Sequence, residues 1–211
     1  MTRKLTHTTI SKPKLLIATG NQGKIAELTK MLGDLDVELV GLDAFDKIEE
    51  VAETGATFDE NARLKAAGYS RQTGLPALAD DSGLEIAVLD GRPGVLSARY
   101  GGENTSFDRK MEMVLNELAN ADSLNRSARF VCSMAIADEN GNIVQTSEGI
   151  CQGTIAKDPR GNGGFGYDPL FVPDGYDRTF GELPEATKRK ISHRARAFSQ
   201  IMPFLRHFIA L

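Results

Sequence analysis

Apolar positions recur along the chain with two periods, and together they lay out an alternation of strands and helices. Residues 14–19, Lys-Leu-Leu-Ile-Ala-Thr, form a short apolar run suited to a buried strand, closed by a turn at Gly20-Asn-Gln-Gly23. Ile25, Leu28 and Leu32 fall at helical spacing over residues 24–32, and residues 37–40 read as a second strand. Residues 42–54 turn acidic and irregular. Thr57-Phe-Asp-Glu60 has the form of a capping box, which opens a helix running to about Tyr69 and stopping before Gly74. Residues 77–79 and 84–89 read as strands on either side of Asp80-Asp-Ser-Gly83, and residues 91–94 as a turn. Phe107, Met111, Val114, Leu115 and Leu118 share one helical stripe. Residues 130–137 and 143–150 flank Asp138-Glu-Asn-Gly-Asn142, a hairpin signal, with a third strand through residues 154–156. A brief strand at 170–172 precedes a C-terminal helix marked by Ala195, Phe198, Ile201, Leu205 and Phe208, which Pro203 should kink or interrupt. The class is mixed α/β, one sheet with hairpins and crossover helices, without repeats or linkers.

Composition narrows the partners. The chain has 211 residues, 41% apolar and 26% charged, which fits a folded domain and excludes disorder. A formal net charge of −4 argues against double-stranded nucleic acid as the main partner. Cys132 and Cys151 are too few for a disulfide scaffold or a four-cysteine zinc site. No stretch approaches the roughly 18 apolar residues of a membrane helix, and the polar, basic opening residues lack the apolar core of a signal peptide. The expectation is a cytoplasmic protein that makes no membrane contact, with residues 1–13 as a frayed extension and 14–211 as one domain.

Several segments could carry chemistry. Thr19-Gly-Asn-Gln-Gly-Lys24 sits where a strand hands over to a helix, so backbone N–H groups and a positive dipole end could cradle phosphate, with Lys24 adding charge. It is not a Walker loop, because only two residues separate Gly20 from Gly23 and Ile25 replaces the magnesium-binding Ser/Thr. The same residues would also suit an ordinary strand–turn–helix. In Asp80-Asp81-Ser82-Gly83, adjacent carboxylates on an extended chain point to opposite sides, so only one faces a given pocket. A hard cation such as Mg²⁺ needs only one Asp and a distant Glu, since it keeps waters and phosphate oxygens; an Asp-rich turn is the alternative. Asn61 and Lys65 share a helix face, while Glu60 is explained as the cap. Gly161-Asn-Gly-Gly-Phe-Gly166 is a poor dinucleotide fingerprint, but Phe165-Gly-Tyr-Asp168 could stack a planar base or form a buried aromatic turn. Ser192-His193-Arg194 at a helix start could reach a base carbonyl or a phosphate. In combination these describe a site for a metal-bound nucleoside triphosphate.

At this point the chain resembles the Ham1-like inosine/xanthosine triphosphate pyrophosphatases. The matching segments are Ala18-Thr-Gly-Asn-Gln-Gly-Lys24, Glu53-Thr-Gly-Ala-Thr-Phe-Asp-Glu-Asn-Ala62 with Lys65, and Ala79-Asp-Asp-Ser-Gly-Leu84. Pro93-Gly94, Ser97-Ala-Arg-Tyr100, Gly163-Gly-Phe-Gly-Tyr-Asp-Pro169 and Ile191-Ser-His-Arg194 follow in family order. The resemblance implies a two-lobed α/β fold around a long mixed β-sheet flanked by helices, usually homodimeric. It also implies Mg²⁺-dependent hydrolysis of (d)ITP and XTP to the monophosphate and pyrophosphate. Carried onto this chain, Thr19, Gly20, Asn21, Gln22, Gly23 and Lys24 would hold the triphosphate, with Lys65 assisting. Asp81 would be general base and metal ligand, Glu53 the second ligand, and Ser82 a substrate contact. Phe165, Gly166, Tyr167 and Asp168 would stack on and line the base, and Lys188, His193 and Arg194 would read the base and sugar region. One departure is Ala52 before Glu53, where many members carry a second acidic residue. The competing functional classes are a Maf-like pyrophosphatase acting on pyrimidine nucleotides, a non-catalytic nucleotide-binding module and, last, a nucleic-acid binder.

Overall fold

The computed structural model describes residues 12–121 and 124–209. Among them one six-stranded sheet runs in the order β2-β1-β3-β4-β5-β6. Its strands are β1 (Lys14–Ile17), β2 (Glu38–Gly41), β3 (Ala77–Ile86), β4 (Ser127–Ala137), β5 (Ile143–Ile155) and β6 (Phe171–Pro173). The helices are α1 (Gln22–Leu32), α2 (Phe58–Thr73), α3 (Phe107–Ala119), α4 (Glu185–Ile191) and α5 (His193–Ile209). β1 pairs parallel with β2 and β3, whereas β3, β4, β5 and β6 pair antiparallel, so the expected mixed α/β sheet is present.

Strand alternation explains the layers. Leu15, Ile17 and Leu78 turn to one face and meet Leu28 and Leu32 of α1 and Ile201 and Leu205 of α5. Leu16, Ala18, Ala77 and Ala79 turn to the other, where Ala62, Ala66 and Tyr69 of α2 pack against them; the small side chains let α2 lie close. A separate core gathers the far halves of β3, β4 and β5 (Leu84, Ile86, Phe130, Ile155) with α3, Phe171 and Phe180. These two ends of the sheet are the two lobes. Gly149 on β5 lets α5 lie against the strand, since a Cβ there would stand 2.2 Å from the His193 carbonyl oxygen and 2.3 Å from the Ala197 nitrogen.

Three elements differ from the periodicity. β3 runs unbroken through Asp80-Asp-Ser-Gly83, because β4 pairs with it from Ala77 to Ile86 and supplies partners where the sequence suggests a break. α2 continues to Thr73 and stops at Gly74 in a left-handed conformation, one turn beyond Tyr69. α5 continues through Pro203 to Ile209. An internal proline costs a helix about 3 kcal/mol. Burying Ile201 and Leu205 on either side returns roughly 1.5–3 kcal/mol each, which is enough to hold the helix together. The expected third strand at 154–156 is the end of β5 itself. Residues 1–11 of the expected extension lie outside the described residues, and Pro13 already belongs to the fold, its carbonyl accepting from Glu38 N at 2.8 Å. No helix among the described residues is long and apolar enough to cross a membrane.

Candidate active site

The cleft forms where β1 ends. β1 accompanies β3 only through Leu16–Ala77 and Ile17–Leu78, so from Ala79 onward β3 has β4 alone beside it. The C-terminal end of a parallel strand, with a turn leading into a helix, is where an open α/β sheet leaves room for a ligand. Asn21 caps α1 there, its side chain accepting from Lys24 N at 3.1 Å, and Asn21 N donates to Thr19 Oγ1 at 3.2 Å. The result is a cavity of about 290 Å³ whose wall includes Thr19, Gly20, Asn21, Lys24, Lys65, Asp81 and Ser82.

Alternation along β3 sends the two aspartates to opposite faces. Asp81 faces α2: Lys65 Nζ donates to its Oδ1 at 3.0 Å and Asn61 Nδ2 to its Oδ2 at 3.2 Å. One helical turn separates Asn61 from Lys65, which is why both reach the same carboxylate. Lys65 also meets Glu53 Oε1 at 2.6 Å, and Arg99 meets Glu53 Oε2 at 2.6 Å. Asn61 Oδ1 accepts from Gly55 N at 2.8 Å, which ties the irregular segment carrying Glu53 to the head of α2. Burial pushes the Asp81 carboxyl above the usual carboxylate range, and the Lys65 and Lys24 cations offset this only in part. Burial also acts to raise Glu53, but Lys65 and Arg99 outweigh it and leave that carboxyl lowered.

Asp80 turns to the α1/α5 face and is fully buried. Arg194 donates to its Oδ2 from Nη2 at 2.9 Å and Nε at 3.2 Å, and Lys24 Nζ lies 3.3 Å away. Burial would raise this carboxyl, but Lys24, Arg194 and Lys65 outweigh it and hold it far below its ordinary value. Arg194 continues to Glu27 Oε2 at 2.6 Å and Ser82 Oγ at 2.8 Å. Glu27 Oε1 takes Lys188 at 2.7 Å, and Lys188 also reaches Asp168 at 2.5 Å. Five cations and five carboxylates thus alternate around the cleft.

Phe165, Gly166, Tyr167, Asp168, Lys188, His193 and Arg194 complete the wall. Phe165 is half-buried, with Lys188 Nζ 4.8 Å and Arg194 Cζ 5.6 Å from its ring centre. The Tyr167 hydroxyl is held within the wall, donating to the Ser97 carbonyl at 3.0 Å, and Asp168 accepts from Phe165 N at 2.7 Å. Asp168 thus holds the Phe165 backbone, Tyr167 packs edge-on against Phe107, and both polar groups are already partnered. His193 starts α5, capped by Ser192 Oγ, which accepts from Ala195 N at 3.2 Å. Its ring stacks on Phe130 at 4.7 Å and its Nδ1 is buried without a partner among the described residues. Burial, reinforced by Arg194 and Lys188, drives its pKa well down, so the ring is neutral near pH 7.

Of the residues the resemblance assigns to the site, all lie in this wall except Gln22, which is exposed, and Gly23; Asn61 and Asp80 stand behind it, bonded to Asp81 and to Lys24 and Arg194. Gly23 lies beneath the Phe165 ring, where a Cβ would stand 2.6 Å from Cγ, so it acts by leaving space. The sequence reading lacks Glu27, Arg99 and the counter-ion role of Asp80. Glu27 follows Lys24 by three residues on the same helix face, a signal visible once Lys24 is taken as functional. Among the described residues no group of three or more His, Cys, Asp or Glu side chains could hold a metal alone. Glu53 and Asp81 nevertheless share one cation, the Lys65 ammonium, so both carboxylates already converge on a single positive centre. That pair fits a hard divalent ion completed by water and phosphate oxygens.

The chain is similar to known proteins over most of its length. The Ham1 family model matches residues 15–204. The dITP/XTP pyrophosphatase of Streptomyces avermitilis is 44% identical over 198 residues, covering 93% of this chain and 98% of that protein. The dITP/XTP pyrophosphatase of Coxiella burnetii is 42% identical over 193 residues, covering 91% and 96%. Among solved structures, a HAM1 protein from Coxiella burnetii superposes with a TM-score of 0.85 at 42% identity, over 92% of this chain and 99% of that one. The Staphylococcus aureus Ham1 protein gives a TM-score of 0.81 at 36% identity, again over 92% and 99%.

Proposed function

The chain belongs to the Ham1 family, and from that premise we infer that it is a nucleoside triphosphate pyrophosphatase. It hydrolyses non-canonical purine nucleotides, dITP/ITP and XTP/dXTP, to the monophosphate and pyrophosphate, clearing them from the nucleotide pool. One observation carries this reading: the glycine turn at Thr19–Lys24 and the Asp81 carboxylate open into one cleft, with cations on both sides.

The triphosphate lies against the 20–23 turn at the head of α1, Lys24 and Lys65. Asp81 takes a proton from the water that attacks the α-phosphorus. The new phosphorus–oxygen bond forms as the bond to the bridging oxygen breaks, and pyrophosphate carries away the electron pair. A carboxyl raised by burial is a stronger base than an ordinary one, and Asn61 and Lys65 fix its orientation. Glu53 and Asp81 would hold Mg²⁺, whose chemistry when bound is to neutralise charge on the phosphate oxygens. Phe165 stacks on the base, Ser82 contacts substrate, and Lys188, His193 and Arg194 present donors. Hypoxanthine and xanthine carry a 6-keto acceptor where adenine has an amine, so donors in the wall would face a donor on ATP and lose their partner. The reading takes residues 14–211 as one catalytic domain and carries with it the homodimer implied by the resemblance and the cytoplasmic location expected from the sequence. Free, buried Cys132 and Cys151 suit a reducing compartment.

Pyrophosphate release from ITP, XTP, GTP and ATP in Mg²⁺ tests it. ITP and XTP should be turned over at least about a hundredfold more efficiently than ATP; equal turnover of ATP and ITP refutes the reading.

A further inference from the structure

The cleft carries no surplus positive charge for a polyanion, because its five cations are matched by five carboxylates. A cation paired at contact distance attracts a third charge poorly, since its neighbour cancels its field. Arg99 differs from the other four. Its side chain is 36% exposed, it lies just outside the cavity wall beyond Ser97 and Ala98, and Glu53 Oε2, at 2.6 Å, is its sole side-chain partner among the described residues. The other oxygen of Glu53 holds Lys65 at 2.6 Å, and Lys65 holds Asp81 at 3.0 Å. Glu53 is therefore a counter-ion shared by two cations, and one carboxylate's width separates the Arg99 guanidinium from the Lys65–Asp81 centre.

A divalent cation on Glu53 and Asp81 would compete for the same oxygens and repel both side chains. The guanidinium is only partly buried and singly tethered, and its planar fork matches phosphate oxygens as well as it matches a carboxylate. We propose that Arg99 is a triphosphate-binding residue held in reserve, masked by Glu53 until that carboxylate takes a divalent cation, when the guanidinium turns to the phosphates. The proposal rests on the nucleotide pyrophosphatase reading above and adds a residue and an order of charge transfer to it. Its consequence is cooperativity: cation and triphosphate strengthen each other's binding, by the same factor in both directions.

The test is calorimetric binding of α,β-methylene inosine triphosphate, whose α–β bridge cannot be cut, in EDTA and in saturating Mg²⁺. Comparison with wild type cancels the affinity of Mg²⁺ for the free nucleotide. Arg99→Gln should bind as wild type does in EDTA and about tenfold more weakly in Mg²⁺, the loss of one charge-assisted contact. Arg99→Lys should lose less, again only in Mg²⁺, and serves in its place should the glutamine variant fail to fold. Glu53→Gln, which unmasks Arg99 and Lys65, should bind the metal-free analogue more tightly than wild type and gain little from Mg²⁺. Arg99→Gln weakened equally in both conditions or in neither, or Glu53→Gln no tighter without metal, overturns the proposal. Should wild type neither bind the analogue nor cleave ITP, the parent reading falls with it; normal ITP cleavage with a metal-independent Arg99 effect removes this inference alone.

Discussion

Asp80 and Asp81 are adjacent in sequence, and the fold assigns them opposite consequences. Replacing Asp80 with Asn keeps the shape but removes the charge facing Arg194, which is 1% exposed, and Lys24, whose one ion-pair partner among the described residues is Asp80. Glu27 remains for Arg194, at 2.6 Å, and no carboxylate in the described ion pairs remains for Lys24. Breaking a buried pair from one side costs about 3–5 kcal/mol. At about 2–4 °C per kcal/mol for a chain of this size, Asp80→Asn should lower Tm by roughly 10 °C. Asp81→Asn leaves Lys65 on Glu53 at 2.6 Å and leaves an oxygen for Asn61. Because burial raises the Asp81 carboxyl above its unfolded value, its ionised form is disfavoured by folding, and a neutral replacement should leave Tm unchanged or slightly higher. Its turnover should nonetheless fall about a thousandfold, with the base gone. Thermal melts of both variants, with pyrophosphate release assayed well below either Tm, decide the matter. Asp80→Asn melting within about 2 °C of wild type, or Asp81→Asn retaining near-normal turnover, would refute the division of roles; the thresholds follow from the same scale.

Other outcomes follow from the same contacts. Gly149→Ala must drive α5 off β5, because the added Cβ meets backbone at 2.2 Å and 2.3 Å; urea titration should show a loss of about 3 kcal/mol or more. Gly23→Ala pushes on the half-buried Phe165 ring, so KM should rise about tenfold, the worth of one base stack, with Tm almost unchanged in a parallel melt. Asp80 also sets an acid limit. Its folded pKa is depressed, so its stabilisation is complete above the ordinary Asp value near 3.9 and fades as pH falls towards the folded value. The stability gap between wild type and Asp80→Asn should stay constant from about pH 5 to 8 and narrow below about pH 4, measured by denaturant titration.

Local chemistry was legible wherever neighbours in sequence are neighbours in space. The capping box is present, with Thr57 Oγ1 accepting from Glu60 N at 3.2 Å and Glu60 returning to Thr57 N at 3.2 Å. The turn at Asp138–Asn142 joins β4 to β5 as its Asn-Gly step suggests. The opposed aspartates follow from strand alternation alone. The unbroken passage of β3 through four polar or small residues was not legible, because β4, some fifty residues away, supplies its partners. Nor was α4, whose seven residues are too few to show a helical period. Beyond the Lys24–Glu27 spacing on α1, the charge chain was not legible: Glu27 meets Lys188 of α4 and Arg194 of α5 only where those helices come together, and Arg99 meets Glu53 across 46 residues of chain.

Hydrolysis of ITP in ¹⁸O-enriched water tests the core of the reaction most directly, because the label records which phosphorus the water attacks. Water activated by Asp81 at the α-phosphorus yields ¹⁸O-labelled inosine monophosphate and unlabelled pyrophosphate. Label in pyrophosphate, or release of labelled orthophosphate, would contradict it.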